Sequence, residues 1–153
     1  MDFFIFGNLL GGYIIALVFS WIGPKLGIFT ALNIEKLARH IIEFGSFTIF
    51  ISAILAGWLM GLLSWLLTSS QDTISKIVII FLITGIMSFT NLHHSIIGSV
   101  EVFAGMISSP KISIGDYAKF ESLALLGNAI GGVVFVALLK YRAFSYNFSG
   151  QKY

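Results

Sequence analysis

Apolar residues dominate this chain in long stretches that are separated by short polar segments. Three stretches, at about residues 3–22, 47–67 and 122–139, contain almost only apolar and small side chains. About 20 such residues in a helix are enough to cross the hydrocarbon core of a bilayer. We therefore predict three simple membrane-spanning helices, which belong to a single transmembrane domain over residues 1–153.

A fourth stretch, residues 77–107, is too long for one simple span. As a straight helix its 31 residues would extend about 46 Å, whereas the hydrocarbon core is about 30 Å thick. Polar residues interrupt it at Thr90-Asn91-Leu92-His93-His94-Ser95. We predict two half-length helices with a break near residues 90–95. Such a break is tolerated at membrane depth only where it is buried in protein or lines a cavity.

The titratable side chains at this break are candidate pore residues. Because such groups are costly in a membrane, they usually face the interior of the bundle or a substrate pathway. His94, Gly98 and Glu101 are spaced i, i+4, i+7 and would share one helix face. The alternative is that the histidines only hydrogen-bond carbonyl groups freed at the kink. The predicted pore and substrate residues are Asn91, His93, His94, Ser95, Gly98 and Glu101.

Between the first two spans, the sequence predicts an amphipathic helix at about residues 33–44. Apolar residues recur every three or four positions from Ile34 to Ile42, with charged residues between them. We expect Asn33 to cap this helix and the helix to lie at the membrane surface. Its apolar face either contacts lipid or packs within an oligomer.

Composition narrows the class of protein further. Hydrophobic residues make up 57% of the chain and charged residues 10%, and the mean hydropathy is +0.94. These values are typical of an integral membrane protein surrounded by lipid. No basic stripe is present, so we expect no nucleic-acid partner. We also expect no enzymatic activity and no cofactor or bound metal, and the absence of cysteine excludes thiolate chemistry.

The orientation in the membrane follows from the distribution of basic residues. The C-terminal tail carries Lys140, Arg142 and Lys152 and no acidic residue. Because positive residues are enriched in cytoplasmic segments, we predict a cytoplasmic C-terminus.

The motif Gly-Asn-x-x-Gly-Gly occurs twice, at residues 7–12 and 127–132. Three predicted crossings separate the copies, which gives them opposite membrane orientations, as in an inverted-topology repeat. Chance is the alternative, since the chain has 16 glycines and small residues are common in membrane helices. The residues that we expect to support close helix packing are Gly7, Asn8, Gly11, Gly57, Gly61, Gly127, Asn128 and Gly131.

Three segments together resemble the formate/nitrite transporter family. They are Ala53-Ile54-Leu55-Ala56-Gly57-Trp58-Leu59, the His94-Ser95 break, and Leu126-Gly127-Asn128-Ala129-Ile130-Gly131-Gly132-Val133-Val134-Phe135-Val136. The resemblance implies an all-α, aquaporin-like fold with six helices in inverted repeats, assembled as a homo-oligomer, a pentamer, in a bacterial inner membrane. It also implies passage of small monovalent anions such as formate, nitrite or hydrosulfide, often with a proton. His94 matches the pore histidine of the family.

The chain departs from the family pattern in ways that indicate a divergent branch. It matches the third to sixth helices, and the first two have no counterpart. Gly57 stands where the family usually has asparagine, and Ile97-Gly98 replaces the usual Ala-Asn.

Several interpretations of the chemistry remain open at this point. If the family mechanism holds, His94 offers a proton or hydrogen bond to the anion. If Glu101 stays ionised beside it, a cation or a neutral solute fits better. The chain is alternatively a truncated, non-transporting fragment. A metal site formed by His93, His94 and Glu101 is disfavoured, because adjacent helical residues point about 100° apart.

Overall fold

The computed structural model of the chain describes residues 2–149 and the side chains of residues 6–139 and 141. Over these residues the chain is helical throughout, without a β-strand. The helices are α1 (Asp2–Lys25), α2 (Ala31–Ile42), α3 (Ser46–Ser69), α4 (Thr73–Phe89), α5 (Ser95–Ser108) and α6 (Ile114–Ser149).

Three of these helices are long and apolar enough to cross a membrane. The candidate spans are Phe6–Lys25, Ser46–Ser69 and Ile114–Leu139, and α4 and α5 are shorter apolar helices. Large apolar side chains on the outer faces of the helices are exposed, among them Phe6, Leu10, Trp21, Ile77 and Phe81. In water such a surface would be unfavourable, whereas in a bilayer it contacts lipid. The prediction of an all-α integral membrane protein is confirmed.

Helix α6 begins earlier than the hydrophobic pattern indicates. The hydrophobic pattern places the start of the last span at about residue 122, but the helix starts at Ile114. Ser113 and Asp116 explain this start, because each side chain accepts a hydrogen bond from the backbone N–H of the other, at 3.1 and 3.0 Å. Such reciprocal capping satisfies N–H groups that a helix start leaves unpaired. The side chains of Lys140, Arg142 and Lys152, on which the predicted orientation rests, lie outside the described ones.

The amphipathic helix α2 starts three residues before its expected cap. Thr30 is the N-cap, and its hydroxyl accepts a hydrogen bond from the backbone N–H of Asn33. The predicted cap at Asn33 is therefore wrong. The error arises because Thr30 and Asn33 both favour the N-cap position, and the amphipathic period alone does not distinguish them.

The apolar face of α2 packs against α5 of the same chain, a contact that differs from both sequence-based alternatives. Ala38 is completely buried and touches Gly105, where any added Cβ atom would clash. At the same end, the Glu35 carboxylate accepts hydrogen bonds from Lys111 and Ser109, each at 2.9 Å. The Lys111 ammonium and the Ser109 hydroxyl hold the pKa of the Glu35 carboxyl below its ordinary value.

Helices α3 and α6 form the most extensive helix pair, and α5 packs against α1, α2 and α6. The α3–α6 contact depends on glycines, since a Cβ atom at Gly127 would lie 2.6 Å from the Ala53 Cβ atom. At Gly57 and Gly131 an added Cβ would meet backbone atoms of the partner helix, and at Gly61 it would lie 3.0 Å from the Phe135 ring. Small residues thus let the two backbones approach closely.

The first glycine motif does not have this environment. A Cβ atom added at Gly7 or Gly11 would meet none of the described residues within 4 Å. The described residues therefore provide no close contact at these two glycines, and their packing against another helix stays a prediction. Asn8 is exposed, and Gly12 is the residue of this motif that approaches α5, at Val100.

Candidate functional site

The break between α4 and α5 has a defined backbone structure. The N–H of Leu92 bonds to the carbonyl of Met87 at 3.1 Å, and the N–H of Asn91 bonds to that of Ser88 at 3.2 Å. This pair of bonds is the Schellman motif, which ends a helix through one residue in the left-handed conformation. That residue is Asn91, with φ of 50°, and asparagine tolerates this conformation better than most other residues. The sequence therefore ends α4 at the centre of the apolar stretch.

His94 is the N-cap residue of α5 and lies at a cavity. Its backbone is extended, with φ of −110° and ψ of 127°. The side chain lines a cavity of about 240 Å³ between α2, α4 and α5. Its Nδ1 atom is buried and has no hydrogen-bond partner among the described residues. A buried polar atom without a partner is uncommon in a native structure, so the Nδ1 atom of His94 is a candidate to bind a water molecule or a ligand.

Asn128 of α6 holds the two peptide groups on either side of His94. Its Oδ1 atom accepts hydrogen bonds from the backbone N–H and the hydroxyl of Ser95, at 3.1 and 3.2 Å. Its Nδ2 group donates to the carbonyls of His93 and Ala53, at 3.2 and 2.9 Å. One amide side chain therefore satisfies backbone groups that the break leaves unpaired. We predicted Asn128 only as a packing residue, and this positioning role was missed.

His93 has the opposite environment to His94, because both of its ring nitrogens have protein partners. Nε2–H donates to the carbonyl of Ile41 at 3.1 Å, one of the carbonyls that the end of α2 leaves unpaired. Nδ1 therefore accepts from the hydroxyl of Ser52 at 2.9 Å, and the same oxygen accepts from the His93 backbone N–H at 3.0 Å. The ring also packs edge-on against Phe44, with centroids 5.4 Å apart. His93 thus ties α2 and α3 to the break.

The structure brings most of the predicted pore residues to the same cavity. Its wall includes Asn91, His93, His94, Gly98 and Glu101, together with residues of α2 and Phe120 of α6. Ser95 is different, because it is buried and turned toward α6, where its hydroxyl bonds to Asn128. Ser95 therefore supports the site without lining it.

A second cavity adjoins the first. It has a volume of about 540 Å³ and an almost completely apolar wall formed by α1, α2 and α5. Leu37, Ile97 and Glu101 line both cavities. Glu101 therefore stands at the boundary between the polar cavity at the break and the apolar one beside it.

The donor groups do not form a metal centre. Among the described side chains, no three of histidine, cysteine, aspartate or glutamate lie together as metal ligands. His93 uses both ring nitrogens for Ile41 and Ser52, so it has no lone pair left for an ion. The metal alternative therefore has no support in the described part of the chain.

Some residues that contact the break or line its cavity lie outside residues 90–101, and the sequence offered only weak signals for them. Ser52 is one of several hydroxyl residues in an apolar span, and its role depends on a contact with a residue 41 positions away. Leu37, His40 and Phe44 reach the cavity because α2 packs on α5. A polar residue inside an otherwise apolar helix was the one signal that could have pointed to Ser52.

Comparison with known proteins agrees with this architecture. A sequence profile described as "Formate/nitrite transporter" matches residues 3–142. The chain is 27% identical to "Inner membrane protein YfdC" of Escherichia coli (strain K12), in a match that covers 90% of this chain and 43% of that protein. It is 31% identical to "Uncharacterized transporter YrhG" of Bacillus subtilis (strain 168), which covers 90% of this chain and 52% of that protein. No solved structure matches the chain significantly.

The chain spans about half the length of the curated relatives that it matches. The profile, in contrast, extends over nearly all of the chain, including the break, the cavity and both glycine motifs. The resemblance expected from the sequence is confirmed, and the chain belongs to the formate/nitrite transporter family.

Proposed function

We propose that this chain forms a pathway for small monovalent anions such as formate and nitrite, and that His94 is the side chain that meets the anion. The observation that carries the proposal is the buried Nδ1 atom of His94, which lies at the cavity without a partner among the described residues. Family membership supports anion transport, and the position of the imidazole at the broken helix supports its role.

The chemistry of this position suits an anion. His94 stands at the first turn of α5, where the aligned peptide dipoles create a partial positive charge. A neutral imidazole can donate one hydrogen bond to the anion, and a protonated one adds a full charge. Either form offsets part of the hydration that a small anion loses on entering a narrow apolar passage.

Glu101 sets a condition on this mechanism. Its side chain lines the same cavity as His94, and an ionised carboxylate there would repel an anion across a low-dielectric space. The anion therefore passes while Glu101 is protonated or paired with a positive group. A permanently ionised Glu101 would instead favour a cation or a neutral solute.

Assembly and orientation remain predictions. The resemblance implies a homo-oligomer, a pentamer in a bacterial inner membrane, and the basic tail implies a cytoplasmic C-terminus. The relatives that the chain matches are about twice as long as the chain. Assembly and orientation are therefore proposed from the family as a whole.

The test is uptake of formate and nitrite by liposomes that contain the full chain, measured by stopped flow at two pH values. His94→Ala should reduce anion uptake to the level of empty liposomes and remove its pH dependence. The variant should keep its fold, because Asn128 bonds to backbone groups of the neighbouring residues and not to the imidazole. Ser122→Ala is the matched control, since that exposed hydroxyl bonds only to the carbonyl of Ala118 in its own helix.

Each outcome separates the competing interpretations. Wild-type anion flux that His94→Ala does not change would contradict the role of the histidine. A chain that inserts as a helical protein but carries no anion would contradict transport by this chain alone and favour the non-transporting fragment. Flux of potassium or of a neutral solute in place of anions would indicate an ionised Glu101.

A further inference from the structure

Glu121 of α6 is a buried carboxyl that the proposed pathway does not use. It lies within the candidate span Ile114–Leu139 and is 8% exposed. Neither of its carboxyl oxygens has a hydrogen-bond partner among the described residues. An acidic side chain that is nine-tenths buried in a membrane span is costly, which makes it a functional candidate by default.

A row of hydroxyl groups leads to this carboxyl from two other helices. The Ser99 hydroxyl of α5 is a near neighbour of the Glu121 carboxyl but lies outside hydrogen-bond geometry with it. It bonds instead to the Tyr117 hydroxyl at 2.7 Å. The Tyr117 hydroxyl bonds in turn to that of Tyr13 in α1. Ser99 is fully buried, and Tyr117 is 9% exposed. The row therefore connects α1, α5 and α6 through the interior of the bundle.

No described positive group forms an ion pair with Glu121. Lys119, two residues earlier on α6, is exposed. Helix α3 carries no titratable residue. On α5, Glu101 turns toward the cavity. The described ion pairs are those of Glu35 with Arg39 and Lys111, and of His40 with Glu43.

The remaining titratable groups near α6 are also engaged elsewhere. His93 packs on Phe120, the residue before Glu121, but directs its ring nitrogens to Ile41 and Ser52. Tyr13 and Tyr117 are neutral donors. An ionised Glu121 would thus have at most hydroxyl dipoles to stabilise it.

The neutral acid is favoured over the carboxylate by these surroundings. An unpaired charge in an apolar interior costs far more free energy than one hydrogen bond to a charged group returns. A hydroxyl can both donate and accept. The row Ser99–Tyr117–Tyr13 can therefore point its hydrogens toward a carboxylate or away from a carboxylic acid without moving any heavy atom.

The site adjoins the cavity at the break without belonging to it. Phe120 and Gly98 line the cavity, and the next residues along their helices are Glu121 and Ser99. The Phe120 ring also fits against Gly98, where an added Cβ atom would clash with it. A change of charge at Glu121 therefore acts on the same α5–α6 interface that supports His94.

We propose that Glu121 is an intramembrane proton-binding site, separate from His94, and that it carries the proton that accompanies the anion. The inference rests on the proposed anion transport. The step is the transfer of one proton from water on the side of uptake to the Glu121 carboxylate: an O–H bond of a hydronium ion breaks, a carboxyl O–H bond forms, and the side chain changes from negative to neutral. Release of this proton to water on the other side restores the carboxylate. One anion and one proton then move together without net transfer of charge.

Infrared spectroscopy of the full chain in liposomes tests the proton site without requiring transport. The difference spectrum of wild type and Glu121→Gln should contain the carbonyl band of a protonated carboxylic acid. Glu43→Gln is the matched control, since that exposed glutamate should give no such band. Ser99→Ala should keep the band and shift it to higher frequency, because the carboxyl loses its hydroxyl neighbour. A difference spectrum without the acid band would overturn the proposal.

Proton uptake measured with a dye trapped inside the liposomes tests the coupling. Glu121→Gln mimics the neutral acid, so it should keep most of the formate uptake while the accompanying proton uptake falls to the background of empty liposomes. Unchanged proton uptake in this variant would refute the coupling. If the wild type takes up no formate, the proposed function and the coupling fail together, but the infrared result still decides whether Glu121 binds a proton. If Glu121→Gln does not insert into the membrane, the frequency shift of the carboxylic-acid band in Ser99→Ala decides whether Glu121 binds a proton.

Discussion

The motif Gly-Asn-x-x-Gly-Gly occurs in α1 and in α6, and its two copies have different surroundings. In α6, Gly127 and Gly131 are buried against the backbone of α3. In α1, Gly7 is exposed and Gly11 is half-buried, with no described residue where a Cβ atom would stand. Six identical or equivalent positions thus produce a tight helix contact in one place and an open face in the other.

The difference shows that small residues permit a close approach but do not create it. The α6 copy faces a helix that has its own small residues, Ala53 and Gly57, at the contact. Asn128 adds direction, because its amide bonds across to α3 and to the break. In the α1 copy, no described residue lies within 4 Å of a Cβ atom placed at Gly7 or Gly11. Substitutions at matching positions should therefore have very unequal effects.

The largest effect is expected at Gly131. The added side chain in Gly131→Val would collide with the Ile54 carbonyl and with the Trp58 nitrogen, 2.9 Å from the position of its Cβ atom. Because backbone atoms cannot move aside, we expect a loss of about 3 kcal/mol or more in the free energy of unfolding. Unfolding by SDS in mixed micelles measures it. Gly11→Val is the matched control, and equal losses in both variants would contradict the comparison.

A somewhat smaller effect is expected from Asn128→Ala. The change removes four hydrogen bonds and leaves the Ser95 N–H and the carbonyls of His93 and Ala53 without that partner. We expect a loss of about 2–4 kcal/mol in the free energy of unfolding. Anion uptake should fall as well, because the backbone on both sides of His94 is released. Ser122→Ala is the control on the same helix. If Asn128→Ala is as stable as Ser122→Ala, water molecules have replaced the hydrogen bonds of the Asn128 amide, and the expected loss is refuted.

A modest effect is expected from Gly61→Ala, at the other end of the α3–α6 contact. Here the added Cβ atom would lie 3.0 Å from the Phe135 ring, and a side chain can shift where a backbone cannot. The strain of this close contact lowers the stability, whereas the better helix propensity of alanine raises it. We therefore expect the free energy of unfolding to change by no more than about 1 kcal/mol. The same SDS titration measures it. A loss as large as that of Gly131→Val would mean that the Phe135 ring is rigidly held.

The smallest effect, with the opposite sign, is expected from Gly7→Ala. With no described residue at the position of the added methyl group, the change should stabilise the isolated chain by about 0.5–1 kcal/mol through lower backbone entropy in the unfolded state. Gly85→Ala, at another open helical position, is the control. Destabilisation by Gly7→Ala alone would reveal that another polypeptide segment packs on this face of α1.

Much of the local structure could be predicted because its causes are local. The long apolar stretches, the amphipathic pattern of α2 and the asparagine at the end of α4 act over a few residues. The start of α6 was misjudged even though Ser113 and Asp116 signal it, because hydropathy was given more weight than capping. Boundaries that depend on polar end residues are poorly visible in an apolar pattern.

The two neighbouring histidines illustrate what could not be predicted. The sequence made both His93 and His94 candidate pore residues, and only the family resemblance and the spacing to Gly98 and Glu101 favoured His94. In the structure, His93 is held by Ser52 and Ile41 from two other helices, whereas His94 turns an unpartnered Nδ1 atom to the cavity. Those partners are 41 and 52 residues away. No local pattern identifies them.

The sequence by itself determined that this protein is an integral membrane protein of the formate/nitrite transporter family, with a helix broken beside a histidine. Hydrophobic length and the polar residues at the break are properties of short segments, so they are visible in the chain. Only the tertiary structure decided which glycine motif is packed, which histidine leaves a ring nitrogen without a partner among the described residues, and that Glu121 is buried near the hydroxyl of Ser99. These features depend on which helices meet, and helix contacts in a membrane arise from shape and hydrogen bonding between distant residues rather than from hydrophobicity.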